Sequence, residues 1–247
     1  MNNIPKISII TVVFNSEKFI EATIKSILSQ TLKNVEYIII DGNSKDKTVD
    51  IIKAYEDQIS LWISEPDKGL YDAMNKGILR AKGEYILFIN SGDKLFNNTI
   101  LEDIFNLPEA DVYYGDTLII NTEDKELGVR RLRPPENLSF KSFKKGMLVC
   151  HQSFIAKKGL VSLFDLSFKY ASDYDWSIKI LRKSDKIINT HLTISRFLEG
   201  GQTSRTVYKG LMERFVIMKK HYGLLSAIML NLLLIPRFMG YLITKRI

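Results

Sequence analysis

Cysteine is nearly absent from this chain. The single residue Cys150 rules out an intramolecular disulfide and suits a reducing compartment. The opening MNNIPKISII lacks the charged start, long apolar centre and small-residue cleavage site of a secretory signal, so a cytoplasmic protein is expected. Histidine is scarce as well, and neither His191 nor His221 has a partner at metal-ligand spacing. No clean membrane span exists: Leu224 to Ile235 supplies twelve residues before Pro236-Arg237 interrupts, against about 20 needed to cross. Internal repeats, low-complexity linkers and nucleic-acid motifs are also missing, and nucleic acid is not an expected partner.

What is present suits a folded globular protein. With 247 residues and 45% hydrophobic content the chain can bury a sizeable core in one large or two small domains. The net charge of +7 is localised. From Arg205 onward eight basic residues face one acid, Glu213, and the remainder balances at 27 of each sign. A neutral body with a basic, apolar tail points to an anionic lipid surface. We therefore expect interfacial helices over 205–247, peripheral on the inner face of the cell membrane. A helix packed on the core or on a second copy, a possible homodimer, is the competing reading.

Lys6 to Asp46 reads as a strand, an amphipathic helix and a second strand. Ile7 to Phe14 is β-rich, Phe19, Ile20, Ile24, Ile27 and Leu28 recur at helical spacing, and Val35 to Ile40 returns as a strand ending on Asp41. A right-handed crossover opens both strand ends on one rim, where α/β sheets bind ligands. There the Asp41 carboxylate can accept hydrogen bonds from a base or ribose, or merely cap the next helix with Ser44 and Asp46. Leu70, Ala73, Met74, Gly77, Ile78 and Ala81 form a helical stripe, and the strand Tyr85 to Ile89 ends in Asn90-Ser91-Gly92-Asp93. Asp93 is thus a second acid on the same rim. After a glycine, it suits Mg2+ or Mn2+ bridging to a diphosphate, or simply a turn.

Further along, Leu148 to Ile155 reads as a strand carrying His151, and Tyr174 to Lys183 as a helix. Asp173 and Asp175, two apart, cannot share a helical face and should have different roles. One is placed to cap the helix and the other to take a proton from a hydroxyl nucleophile. Cys150 beside His151 is not a nucleophile-base pair by adjacency alone. Gly200 to Arg205 reads as a polar loop able to close over phosphates or to act as a hinge.

In this order the segments resemble a family 2 glycosyltransferase of the GT-A fold over roughly Lys6 to Ser204. The segments SIITVVFNSEKFIEATIKSILSQT, EYIIIDGNSKDKT and SEPDKGLYDAMNKGILRAKGEYILFINSGD are similar to its nucleotide-sugar half. CHQSFI and YASDYDW resemble its acceptor half, especially in members that build bacterial capsule, exopolysaccharide or lipopolysaccharide chains. The resemblance implies a mainly parallel α/β sheet flanked by helices, a catalytic domain over 1–204 (nucleotide-sugar half 1–116, acceptor half 117–204), and an apolar helical tail over 205–247. It implies an inverting enzyme that moves a sugar from a nucleotide-diphosphate sugar to a hydroxyl of a glycan or lipid-linked acceptor. Asp41 would contact the base, Asp67 and Asn75 the donor, Ser91 would occupy the first DXD position, Asp93 would bind the metal, and Asp173 would be the general base. Ser91 and Ser172 replace acids of the family pattern. Two other readings remain: a non-catalytic, membrane-associated nucleotide-sugar-binding subunit, and a nucleotidyltransferase.

Overall fold

The computed structural model describes residues 4–200 and 207–232. Four parallel strands form one side of a nine-stranded sheet: β1 (Ile7–Val13), β2 (Val35–Asp41), β3 (Leu61–Ser64) and β4 (Tyr85–Phe88). Helices α1 (Ile20–Leu28), α2 (Thr48–Lys53) and α3 (Leu70–Arg80) connect them. The strand residues are apolar on both faces, as expected of parallel strands covered on both sides. Side chains alternate between the two faces. Ile10, Val12, Ile38, Ile40, Ile86 and Phe88 meet α3 on one side, whereas Ile7, Ile9, Tyr37, Ile39, Tyr85 and Leu87 meet α1 on the other. Gly77 lets α3 approach β1, since a Cβ there would lie 2.4 Å from Ile10 Cγ2.

The remaining strands continue the same sheet in mixed orientation. They are β5 (Lys94–Leu95), β6 (Val112–Ile120), β7 (Glu126–Val129), β8 (Phe154–Lys157) and β9 (Ile187–Leu198), in the order β3-β2-β1-β4-β8-β6-β9-β5 with β7 on β6. β8 is antiparallel to both β4 and β6 and joins the two halves. Helices α4 (Ile100–Phe105) and α5 (Ser172–Leu181) flank the sheet. Trp176 of α5 stacks on Phe164 at 5.1 Å and meets Phe88 and Phe154 edge-on, locking α5 to β4 and β8.

Two sequence expectations are corrected here, on the strand ahead of β8 and on the tail. Leu148 to Ile155 is not one strand: His151–Ser153 forms a tight 3-10 turn before β8, because buried Gln152 and Ser153 turn to polar partners instead of pairing in a ladder. β6 is continuous through Gly115-Asp116. A side chain at Gly115 would strike the Leu192 carbonyl at 2.3 Å, so glycine permits the close crossing of β9 and shifts the register. The tail is not uniformly apolar in its described part. Helix α6 (Val207–Tyr222) is mixed in character, and with residues 224–232 it buries Ile217, Met218 and Ala227 against the body. Among the described residues no helix is long and apolar enough to cross a membrane. The Gly201 to Arg205 part of the polar loop and the Pro236-Arg237 break lie outside the described residues.

Candidate active site

The loops that follow β1, β2 and β4 meet on one rim and are laced together. The Asn15 amide donates to Ser44 Oγ and its side chain accepts from the Lys45 amide, both at 2.8 Å. The Ser16 amide donates to Thr48 Oγ1, and its hydroxyl lies 2.7 Å from that of Ser91. This network places Asp41, Asp67, Ser91 and Asp93 around one end of the parallel strands. Asp41 pairs in register with Val13 and Ser64, and the turn before Asp93 is pinned by the Ser91 amide to Val12 O at 3.2 Å.

Asp41 is fully buried, and its carboxylate accepts from the Ser44 amide, the Ser44 hydroxyl and the Ser64 hydroxyl. It therefore shapes the rim from beneath. Asp67 accepts from the Gly69 amide at 2.8 Å, closing the turn that leads into α3, while its other oxygen rests against Gly42, where a Cβ would come within 2.5 Å. An open cleft of about 200 Å³ lies here, lined by Val12, Val13, Phe14, Asp67, Gly69 and Leu70, with the Phe14 ring 61% exposed. Asn75 is not at this cleft edge. Both ends of its buried amide are engaged by the backbone of Phe164, at 3.0 and 2.7 Å, so it clamps the segment ahead of α5. Satisfying a buried amide in this way gives Asn75 a structural role that its place in the sequence did not announce.

Asp93 is 5% exposed, with one oxygen accepting from Gln152 Nε2 at 2.7 Å and the other from the Leu198 amide at 3.1 Å. Burial pushes its carboxyl up to about 6, and these hydrogen bonds and the nearby His151 only partly offset that. No group of three His, Cys, Asp or Glu side chains suited to a metal occurs among the described residues. The donor set is one carboxylate, with the Ser91 hydroxyl close by. That set fits a divalent cation which takes its other oxygens from a diphosphate and water, as Mg2+ commonly does.

Asp173 lies across the rim, at the start of α5. Tyr71 of α3 donates its hydroxyl to Asp173 Oδ1 at 3.1 Å, and His151 Nδ1 is 3.4 Å from Oδ2. Asn90 Nδ2 faces the other ring nitrogen of His151 at 3.2 Å, which fits a tautomer with its proton on Nδ1 toward Asp173. Burial alone would raise the Asp173 carboxyl, but His151, with Arg214 and Tyr71, outweighs it and holds the group below the ordinary aspartate range. A second cleft of about 400 Å³ adjoins Tyr71, with Lys68, Asp72, Leu166, Phe168 and Tyr170 among its walls. It shares Gly69 and Leu70 with the first cleft, so the two meet at the N-terminus of α3.

Asp175 points elsewhere. It is buried in an ion cluster with Lys179, Lys220 and His221, the last at 2.7 Å, and ties α6 to α5. Sequence reasoning missed Tyr71 and Gln152. The signal available was that a buried tyrosine hydroxyl or glutamine amide needs a partner. Cys150 is no nucleophile candidate, since burial pushes its thiol up.

The fold is of the GT-A type, and the sequence pattern of glycosyl transferase family 2 matches residues 8–162. The chain belongs to that family. It is 32% identical over 225 residues to an uncharacterised glycosyltransferase of Rickettsia typhi, covering 85% of this chain and 69% of the relative. It is 27% identical to a PGL/p-HBAD biosynthesis glycosyltransferase of Mycobacterium bovis, covering 82% and 80%. Among solved structures it resembles S. aureus TarS 1–349 in complex with UDP-GlcNAc, at TM-score 0.66 and 20% identity over 88% of this chain and 67% of that one. The same likeness spans 40% of a longer TarS chain, at TM-score 0.67 and 19% identity over 88% of this chain. The mannosyltransferase PcManGT of Pyrobaculum calidifontis, in complex with GDP-Man and Mn2+, gives a TM-score of 0.62 at 12% identity, covering 99% of this chain and 80% of that one.

Proposed function

We propose that this glycosyltransferase inverts the anomeric carbon in a single displacement, with Asp173 as general base. The observation that carries the reading is the position of Tyr71, which lines the larger cleft and donates its hydroxyl to Asp173. An acceptor hydroxyl in that cleft would give its proton to Asp173 while its oxygen bonds to the anomeric carbon. The bond from that carbon to the diphosphate breaks on the opposite face. The donor would occupy the smaller cleft, with its base against the exposed Phe14 ring and beside Asp67; Asp41 acts on it through the Ser44 and Ser64 hydroxyls that it orients. Asp93, with Ser91 beside it, would hold Mg2+ or Mn2+, which when bound offsets charge on the leaving diphosphate.

The test is incubation with UDP, GDP and dTDP sugars and Mn2+. Release of free nucleoside diphosphate with an inverted product is the expected result; pyrophosphate would indicate nucleotidyl transfer, and binding without turnover a non-catalytic subunit. Because one carboxylate is a weak ligand set, calorimetry should show poor Mn2+ binding to the protein alone and tighter binding with UDP present. Excess EDTA should abolish transfer. Full activity in EDTA would remove the metal from the reaction.

For the acceptor we favour a lipid-linked or glycan hydroxyl used in bacterial surface polysaccharide synthesis, met at the inner face of the cell membrane. In support, Met212, Val216, Leu225, Ile228, Met229 and Leu232 are exposed on the C-terminal helices, among basic residues such as Lys209 and Lys219. Basic side chains near an anionic surface contribute about 1 kcal/mol each, and inserted apolar groups add to that. Liposome flotation should therefore require anionic lipid and weaken in high salt. Leu225→Glu with Met229→Glu should lose flotation and keep UDP binding. This pair is a better probe than truncation before Arg205, which would strip Ile217 and Met218 from the core. Flotation equal to wild type would leave the face without a role at lipid.

A further inference from the structure

The one acid of the basic C-terminal segment has an unusual set of partners. Glu213 on α6 accepts hydrogen bonds from three consecutive backbone amides, those of Lys169, Tyr170 and Ala171, at 2.8, 2.7 and 2.9 Å. These residues lead directly into α5. The N-cap position of α5 is Ala171, whose side chain cannot cap, and the next residue, Ser172, spends its hydroxyl on the Asp165 carbonyl at 2.9 Å. The helix therefore has no local side-chain cap. A carboxylate from 42 positions further along the chain instead gathers the three amides just ahead of the helix, at the end where negative charge is favoured.

The same three residues stand next to the chemistry. Lys169 and Tyr170 line the larger cleft, and Asp173 follows Ala171 by two positions. Arg214, the neighbour of Glu213, lies 5.9 Å over the Tyr174 ring, and its charge is among those that keep Asp173 ionised. The segment is further fixed to α6 by Lys209 over Tyr170 and by the Asp175 cluster.

We propose that Glu213 is a positioning residue for glycosyl transfer: by gathering the three amides ahead of α5 it sets the start of that helix so that Asp173 meets both His151 and Tyr71. The inference rests on the reading of Asp173 as the base. It makes α6, which lies beyond the residues matched by the family pattern, part of the acceptor half. Glutamine at this position would keep the size but present one accepting oxygen and an amide that opposes the donors. Alanine would free all three N–H groups.

The test uses full-length Glu213→Gln and Glu213→Ala, with the Asp173 carboxyl followed by carbon-13 NMR titration and Asp173→Asn used to assign its signal. Removing a nearby negative charge, by itself, would move the Asp173 titration to lower pH. Losing the placement against His151 and Tyr71 would move it up, because burial then dominates. We expect a rise of about one pH unit or more. UDP affinity should stay unchanged, while kcat falls at least about tenfold, the larger drop in the alanine variant. A titration that stays or moves down in a folded variant, with loss of Tm alone, would reduce Glu213 to an anchor for α6. If the alanine variant fails to fold, the glutamine variant carries the measurement. If the wild type transfers no sugar, the glycosyl-transfer reading fails while the titration still decides whether Glu213 places Asp173.

Discussion

Asp173→Asn should lower kcat at least about 100-fold, within the usual range for loss of a general base, and leave UDP affinity unchanged. The amide keeps the volume of the carboxylate and can still accept from the Tyr71 hydroxyl, so the helix start and the cleft wall stay in place. What it cannot do is take a proton. The smaller cleft, proposed for the donor and lined by Val12, Val13, Phe14 and Asp67, does not include Asp173. Turnover is measured as nucleoside diphosphate released with the active donor, and affinity by calorimetry with UDP. Wild-type turnover in the variant would dismiss Asp173 as the base. In the wild type the carboxyl lies below the ordinary range, so its ionised form persists throughout neutral pH and is lost only in acid.

Asp175→Asn, two positions away, should act on stability instead. Asp175 is 1% exposed and faces Lys179, Lys220 and His221. Removing one side of a buried ion cluster typically costs about 3–5 kcal/mol, and the partial exposure of the two lysines favours the lower end. For a chain of this size that is a fall in Tm of roughly 10 °C. Thermal unfolding of the purified variant measures it; an unchanged Tm would mean that the cluster does not hold α6. Burial would raise this carboxyl, but its cationic partners outweigh burial and depress it strongly. Its contribution is therefore present above the ordinary aspartate value near 3.8 and is lost as pH falls through the lower folded value. The wild-type stability should accordingly drop more steeply than that of the variant below about pH 4.

The first half of the molecule was legible because its signals are local. Ile7, Ile9 and Ile10 with Val35 to Ile40 are too apolar for anything but doubly covered strands, and the helical stripe from Leu70 to Ala81 is unambiguous. The rim acids followed from strand direction. β9 escaped notice because its Asn189, Thr190, Thr193, Ser195 and Arg196 mask the alternation, and much of the strand is half-exposed. The His151 turn escaped because its conformation is decided by partners distant in sequence, Asn90 and Asp173 for the ring and Asp93 for Gln152. The clamp made by Asn75 was hidden for the same reason: its partner is Phe164, 89 positions away. The roles of Asp173 and Asp175 were separable by helical phase, but their partners, Tyr71 and His151 for one and Lys220 and His221 for the other, needed α3 and α6 to be in place.

His151 and Gln152 are neighbours in the chain, yet one addresses Asp173 and the other Asp93. One peptide unit thus serves as a ruler between the carboxylate that would receive the proton and the carboxylate on the leaving-group side. Displacement at an anomeric carbon needs the entering and departing oxygens in line, and its rate is sensitive to small errors in that alignment. Under the proposed reaction, the planar amide bond joining His151 and Gln152 would limit how far the two contacts can drift apart. A residue inserted or deleted in this turn would therefore disturb the contact to Asp173 and the contact to Asp93 together.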